Sequence, residues 1–394
     1  MGISRLGKVL GLMVLISLMV LPACTPQATP AAQGTTPTGQ PAKVTEPAKD
    51  AWQAKWDQTV AAAKKEGKLT VYSGMSADFR VGLSDAFRNK YGIELDFVPG
   101  KGSELAQRVF TERRAQLFNA DIFIIGSGSL LTTIKPEGFL ERLDPLLILP
   151  EVTDEKAWVQ NKIPYMDPKD HRVIGFGFSA SSFVAANPET VKDGDLKSYQ
   201  DSLNPKWKRQ ISLFDPTLLG SGSDWLVATA GLLGGQDKAL AYMRDLVKLE
   251  PVVTRDPRLQ VEWVARGKTA IGLGIKPEEV TPFVAMGAPI KWIRFSEGVA
   301  LAPGNSCLAV PQNAAHPNAA VVFVNYLLSK EGADLTVKTA KVPSARRGAS
   351  IEGLDTGIIP VPGEKSVLVD EDYMLGMPAL MELTKPIIAP LMKE

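Results

Sequence analysis

The sequence has little material for metal or redox chemistry. It holds two cysteines, Cys24 and Cys307, and two histidines, His171 and His316, in 394 residues. Cysteines this few, in unlike contexts, exclude a disulfide framework. Two histidines are scant for a zinc site or a histidine-based catalytic centre. No sign of charge dominates, since 44 basic residues face 43 acidic ones. A near-neutral chain has no net field to hold nucleic acid or an anionic membrane surface. Walker, dinucleotide-fingerprint and metal-cluster motifs are missing. Ser127 and Ser129 lie in a Gly-Ser-Gly-Ser run, but Ser129 is followed by Leu130 and Leu131, so the nucleophile elbow of a hydrolase is missing too. The expectation is a protein that binds rather than catalyses, with no cofactor and no metal.

The N-terminus reads as an export signal. Arg5 and Lys8 precede an apolar stretch, residues 9–21, that is shorter than the roughly 20 residues a spanning helix needs. Leu21-Pro22-Ala23-Cys24 then resembles the lipobox of bacterial lipoproteins. The resemblance implies cleavage before Cys24, acylation of its thiol (palmitate-type chains) and a stable anchor in a bilayer, since each buried CH₂ contributes about 0.8 kcal/mol. Residues 25–50 are rich in Thr, Pro, Ala, Gln and Gly and read as a disordered tether.

The body alternates strands and helices. Residues 51–66 read as an amphipathic helix with Trp52, Trp56, Val60 and Ala63 on one stripe. A strand over 68–72 leads to Ser73-Gly74-Met75-Ser76, and a stripe of Phe79, Leu83, Ala86 and Phe87 marks the next helix. A strand over 93–98, the loop Gly100-Lys101-Gly102-Ser103 and a third helix follow. The apolar strand 121–125 ends in Gly126-Ser127-Gly128-Ser129. Strand, Gly/Ser loop and helix in repetition predict α/β architecture with mainly parallel sheets. Open sheets of this kind bind ligands at the carboxyl ends of their strands. Further strands are expected over 173–182, 211–214, 269–275, 289–293 and 299–308. Helices are expected over 197–204, 224–233, 238–249 and 317–328. Beyond Pro343 the pattern weakens and predicts irregular packing.

The ordered set of segments resembles the ABC-importer solute-binding family that includes ferric-iron, thiamine and aminoethylphosphonate receptors. Glu66 through Gly74 resembles that family's first strand and ligand loop, and Ala120-Asp121-Ile122-Phe123 its third strand. Gly267 through Gly272, Glu297-Gly298-Val299-Ala300, Ala315 through Ala320 and Leu327 through Gly332 continue the match, from about residue 52 to 343. The resemblance implies a type 2 periplasmic binding protein fold: two α/β lobes joined by two crossover strands, with a ligand cleft between them. Lobe 1 is expected over 51–178 plus 299–394 and lobe 2 over 179–298. It also implies an extracytoplasmic monomer that captures a small solute and passes it to a membrane permease with its ATPase. Ferric receptors of the family usually carry adjacent tyrosines in the second lobe. None are adjacent here, where Trp263 and Trp292 stand with isolated Tyr199 and Tyr242.

The expected ligand residues are Ser73, Gly74, Met75, Lys101, Ser103, Ser127, Gly128, Ser129, Ser179, Ser181, Ser221, Gly222, Ser223 and Lys276. Their loops carry many backbone N–H groups, several at helix N-termini that favour anions. Lys101, Arg255 and Lys276 are the nearest cations, so an organic or phosphonate-type anion is the expected solute. Ferric iron or a ferric chelate, and a sensory receptor of the same fold, are the alternatives. Each Gly/Ser loop could equally be a plain turn or helix cap. Arg255 and Arg258 could pair with Asp256, His316 could start a helix, and Cys307 could fill a buried strand. Trp225, Trp263 and Trp292 fit a core as well as a ligand platform.

Overall fold

The computed structural model describes residues 49–392. The signal segment, Cys24 and most of the tether lie outside the described residues.

The first lobe follows the alternation in the sequence. Helix α1 (Lys49–Glu66) ends where Gly67 takes φ 71° and returns its N–H to the Ala63 carbonyl at 3.0 Å. Strand β1 (Lys68–Ser73), helix α2 (Ala77–Tyr91), strand β2 (Glu94–Pro99), helix α3 (Gly102–Arg114) and strand β3 (Ile122–Ile125) come next. Ser76 caps α2 by accepting the Phe79 N–H at 3.3 Å, and Gly92 closes it in the left-handed region. Phe79, Leu83, Phe87 and Tyr91 then form one buried face. β1 pairs in parallel with β2 and β3. β3 is buried along its whole length, which explains its continuous apolar run. A one-turn helix α4 (Pro150–Thr153) precedes β4 (Ile174–Gly175), and β12 (Cys307–Ala309) enters antiparallel between β3 and β4. The order is β2-β1-β3-β12-β4.

The second lobe contains β6 (Val184–Ala186), β7 (Ile211–Phe214), α5 (Ser221–Leu233), α6 (Gln236–Val247), β8 (Val252–Thr254), α7 (Pro257–Ala265), β9 (Ile271–Leu273), α8 (Pro277–Ala285) and β10 (Lys291–Trp292). Its sheet runs β10-β6-β9-β7-β8. Trp225, Leu226, Tyr242 and Met243 fill a core separate from that of the first lobe.

Two strands cross between the lobes. β5 (Ser179–Ser181) and β11 (Val299–Ala302) pair antiparallel, with Ala300 opposite Ser181 and Ala302 opposite Ser179. The chain then builds α9 (Pro317–Leu328) and α10 (Lys330–Ala340) on the first lobe. The Glu66 carboxylate accepts the Ala319 N–H at 2.7 Å and the Asn318 N–H at 3.2 Å, tying α1 to the α9 N-terminus. β13 (Ser366–Leu368) adds a parallel edge to β11, and α11 (Glu371–Ile388) closes the chain.

Several sequence expectations change. Each lobe's sheet is mixed, because the strand that follows a crossover, β12 in the first lobe and β6 in the second, enters antiparallel. The strand expected over 173–182 breaks into β4 and β5. Between them Phe176 N–H goes to Ser306 O at 2.9 Å and Phe178 N–H to Pro343 O at 2.8 Å. The strand expected over 299–308 breaks at the turn before Ser306, where Ser306 N–H reaches Pro303 O at 2.8 Å. Over 197–204 only a short 3₁₀ turn, Asp201–Leu203, forms. There the Asp201 carboxylate takes the Lys197 N–H at 2.9 Å and the Ser198 hydroxyl at 2.9 Å, a local alternative to helix bonding. The chain beyond 343 is not irregular throughout, since α11 spans 18 residues. Its Met377, Leu380 and Ile388 lie in the second core, although the sequence reading kept this segment with the first lobe.

Candidate ligand-binding site

A cavity of about 460 Å³ opens at the carboxyl ends of β1 and β2. Of the expected residues, Ser73, Gly74, Met75 and Lys101 line it, together with Arg80, Gly100, Gly102, Glu104 and Asn305. Backbone bonds hold the loops together. Gly74 N–H donates to Ile124 O at 2.9 Å and Gly100 N–H to Ser73 O at 3.2 Å. The buried Ser73 hydroxyl accepts the Met75 N–H at 3.2 Å, so it shapes the loop from within.

The charges around the cavity have distinct tasks. The Arg80 guanidinium donates to the Met75 carbonyl, a neutral acceptor, and closes no ion pair among the described residues. Lys101 is exposed at the N-cap of α3, where Glu104 takes the Lys101 backbone N–H at 3.1 Å. Asn305 donates to the Gly74 carbonyl at 3.1 Å. Two cations, one carboxylate engaged with backbone, and the first N–H groups of α3 therefore share one opening.

The third loop supports this wall from the side. Ser103 is exposed beside Lys101 on the first turn of α3. Ser127 is buried, and Gly128 and Ser129 lead into a π-helical turn, Ser129–Ile134. A Cβ placed on Gly102 would lie 2.3 Å from Ser129 Oγ, so only glycine lets these two loops approach.

The remaining expected residues lie elsewhere. Ser179 and Ser181 belong to crossover strand β5, and the Ser181 hydroxyl accepts the Phe183 N–H at 2.8 Å. Ser221, Gly222 and Ser223 form the buried first turn of α5 instead of an open loop. Ser223 accepts the Gly220 N–H at 3.1 Å, and Ser221 donates to Glu279. A Cβ on Gly222 would meet Phe214 O at 2.6 Å, which accounts for the small residues here. Lys276 Nζ lies 2.6 Å from the Asp224 carboxylate, so its charge is neutralised in place. Arg255 pairs with buried Asp215 at 2.9 Å and Arg258 with Glu262 at 3.3 Å, while Asp256 caps α7 through the Leu259 N–H at 3.1 Å. Both arginines thus form ion pairs, the alternative to a ligand role, but with Asp215 and Glu262 instead of Asp256.

His316 starts α9 and binds the Asp121 carboxylate through Nδ1 at 2.8 Å. Cys307 is fully buried in β12, and burial pushes its thiol up. Trp225 is core, whereas the Trp292 indole donates to Asp355 at 2.9 Å and Lys268 lies over the Trp263 ring.

Arg80, Glu104 and Asn305 were not foreseen. Glu104 had a signal, standing three residues after the N-cap. Arg80 lies one turn inside α2, at a position the helical pattern assigns to solvent. Asn305 hides in a segment whose apolar flanks read as one strand.

None of the seven tyrosines lines the cavity. Tyr72 donates to Glu112 at 2.6 Å, Tyr242 bonds Ser202 at 2.7 Å, and Tyr199 bonds Thr229 at 3.2 Å. Tyr165 stacks on His171, Tyr91 packs edge-on against Tyr326, and Tyr373 donates to the Val227 carbonyl. Burial pushes the Tyr91 hydroxyl up to about 12 and raises the other six as well.

Two α/β lobes, paired crossover strands and a polar cavity at strand ends define a two-lobed solute receptor. Residues 72–334 match the bacterial extracellular solute-binding proteins, and the chain belongs to this family. Iron uptake protein A1 of Synechocystis sp. is 21% identical over 213 residues, 53% of this chain and 54% of that protein. The match thus spans about half the length of that relative. Among solved structures, Trichodesmium FutA (IdiA) in complex with iron and citrate has a TM-score of 0.62 at 21% identity, covering 82% of this chain and 99% of its own. Iron-bound HitA of Pseudomonas aeruginosa has a TM-score of 0.57 at 20% identity, covering 81% and 99%. AfuA of Actinobacillus pleuropneumoniae, with fructose-6-phosphate bound, has 0.57 at 21%, covering 82% and 99%. At these identities the likeness speaks for the fold.

Proposed function

We propose that this chain is the substrate-binding component of an ABC importer and that its solute is a small organic or phosphonate-type anion. The observation that carries this reading is the cavity at the ends of β1 and β2. It gathers Arg80, Lys101 and the start of α3 beside one carboxylate, Glu104, which accepts the Lys101 backbone N–H, so the cations outnumber it. Iron is named for several similar proteins, but a ferric site built on phenolates does not fit this chain. Its tyrosine hydroxyls are committed to packing and internal bonds, and burial opposes their ionisation.

In this reading the anion docks on the first lobe, and the second lobe swings over it about β5 and β11. Closure is favoured only by the contacts that the closed form adds. A micromolar solute would need about −8.2 kcal/mol, within reach of several N–H bonds and two cations. The closed pair of lobes would then be read by the permease, and acylated Cys24 would hold the monomer at the membrane. The test is mass spectrometry of the compound released from protein purified from its host. An organic anion supports the reading; ferric ion or an organic cation sinks it.

A further inference from the structure

Helix α11 belongs to one lobe by packing and to the other by charge. Its Met377, Leu380 and Ile388 are buried in the second core. The Tyr373 hydroxyl donates to the Val227 carbonyl on α5, and a Cβ on Gly231 would lie 2.4 Å from Tyr373 Oη. The first turn of the helix is nevertheless bonded to the first lobe. Glu371 N–H donates to Met166 O at 2.8 Å, and both oxygens of the Glu371 carboxylate lie 2.7 Å from Lys135 Nζ. Met374 packs against both cores. Helix α11 is therefore a third connection between the lobes, besides β5 and β11.

The ammonium that holds it is enclosed. The Lys135 side chain is 9% exposed, and its Nζ also lies 2.6 Å from Asp170 and 3.4 Å from the fully buried Asp167. Screening by water is weak at such a place, so the pair is stronger than one at the surface. Asp372, the next residue, pairs instead with Lys169 at 3.3 Å, and those two side chains are 65% and 77% exposed. Lys135 directly follows the π-helical turn Ser129–Ile134, which begins in the loop beside the first cavity. Glu371 stands two residues beyond Val369, whose N–H reaches Leu301 O on β11 at 3.0 Å. Cavity wall, crossover and α11 thus meet at one ion-pair cluster. No residue of the second lobe lines the first cavity, so the arrangement in which the cluster is closed is the open one.

We propose that the Lys135–Glu371 pair is a latch that holds the lobes open, and that closure over the first cavity releases it. Helix α11 travels with the second core, while Lys135 travels with the first. A swing about β5 and β11 carries the first turn of α11 away from Lys135. Asp167 and Asp170 stay behind with the lysine, so release leaves no lone buried charge and the latch can open without unfolding its surroundings. Its strength sets the fraction of molecules that are closed without solute, and through that fraction the apparent affinity. The latch rests on the swing of the second lobe proposed above, but not on which solute is captured.

The test is pulsed double electron–electron resonance without solute. The full chain carries Cys24→Ser and spin labels at Gln107→Cys on α3 and Arg258→Cys on α7, both exposed, while Cys307 is fully buried and takes no label. The expected result is two separations, the longer one dominant. Glu371→Gln, with unchanged circular dichroism, should raise the fraction at the shorter separation about threefold or more. Asp372→Asn, which breaks the exposed pair on the same turn, should leave the distribution as it is. If Glu371→Gln keeps the wild-type mixture, the latch alone is overturned. A single separation in the wild type, repeated in Glu371→Gln, overturns the latch and the lobe swing together. An equal shift in Asp372→Asn, or a shift to longer separation, also overturns the latch.

Discussion

The Asn305 side-chain amide donates to the Gly74 carbonyl at 3.1 Å and so joins the turn after crossover strand β11 to the first loop of the cavity. The crossover and the ligand wall are thereby linked by one side chain. Asn305→Ala removes that link. A net hydrogen bond contributes about 0.5–1.5 kcal/mol, so the dissociation constant for the solute should rise by about threefold to tenfold. Calorimetry of the variant checks this, and an unchanged constant would separate the turn from binding.

Glu112 holds β1 by accepting the Tyr72 hydroxyl at 2.6 Å. Burial alone would push its carboxyl up, but hydrogen bonds from Arg108, Tyr72 and Asn119 outweigh burial and hold it below the ordinary carboxylate range. A carboxylate with a depressed folded pKa stabilises the fold above its unfolded value, near about 4.3, and loses that contribution as pH falls through the folded value. Glu112→Gln should therefore flatten the stability curve between about pH 5 and pH 3. Urea unfolding across that range measures it. Equal slopes in both proteins would show that Glu112 is not a source of acid sensitivity.

Gly222 packs against the carbonyls of Phe214 and Asp215, at 2.6 Å and 2.7 Å from where a Cβ would stand. Backbone cannot yield there as a flexible side chain would. Gly222→Ala should cost about 2 kcal/mol or more, within the usual range for overpacking. A loss under about 0.5 kcal/mol in urea would contradict this packing.

The expected loops and the candidate cavity overlap unevenly, and the reasons are local. Ser73-Gly74-Met75 and Lys101 were legible because a Gly/Ser break after a β-rich run marks the carboxyl end of a strand. Ser221-Gly222-Ser223 has the same composition, but its residues are small so that α5 can start against the carbonyls of Phe214 and Asp215. Composition does not separate an open loop from a crowded helix start. Helix α11 was hidden because Pro378 and Pro386 punctuate the stripe of Met377, Leu380, Thr384 and Ile388. There tertiary packing on the second core overrides local propensity. Arg80 carries no signal of its own, since its role depends on where the Met75 loop folds.

The tyrosines give a prediction about iron. Their hydroxyls are raised by burial and engaged in packing, so ferric citrate added near neutral pH should produce no visible phenolate-to-iron absorption. Such a band, lost on substitution of any one tyrosine, would reopen the ferric reading.

The central claim is that Lys101 and Arg80 hold an anion at the ends of β1 and β2. Isothermal titration of the protein against a panel of carboxylates, phosphonates and organic cations tests it most directly. The account predicts one-to-one heat with at least one anion, weakened about tenfold or more in Lys101→Glu and Arg80→Ala. Heat only with cations or ferric ion, or an anion bound equally well by both variants, would contradict it.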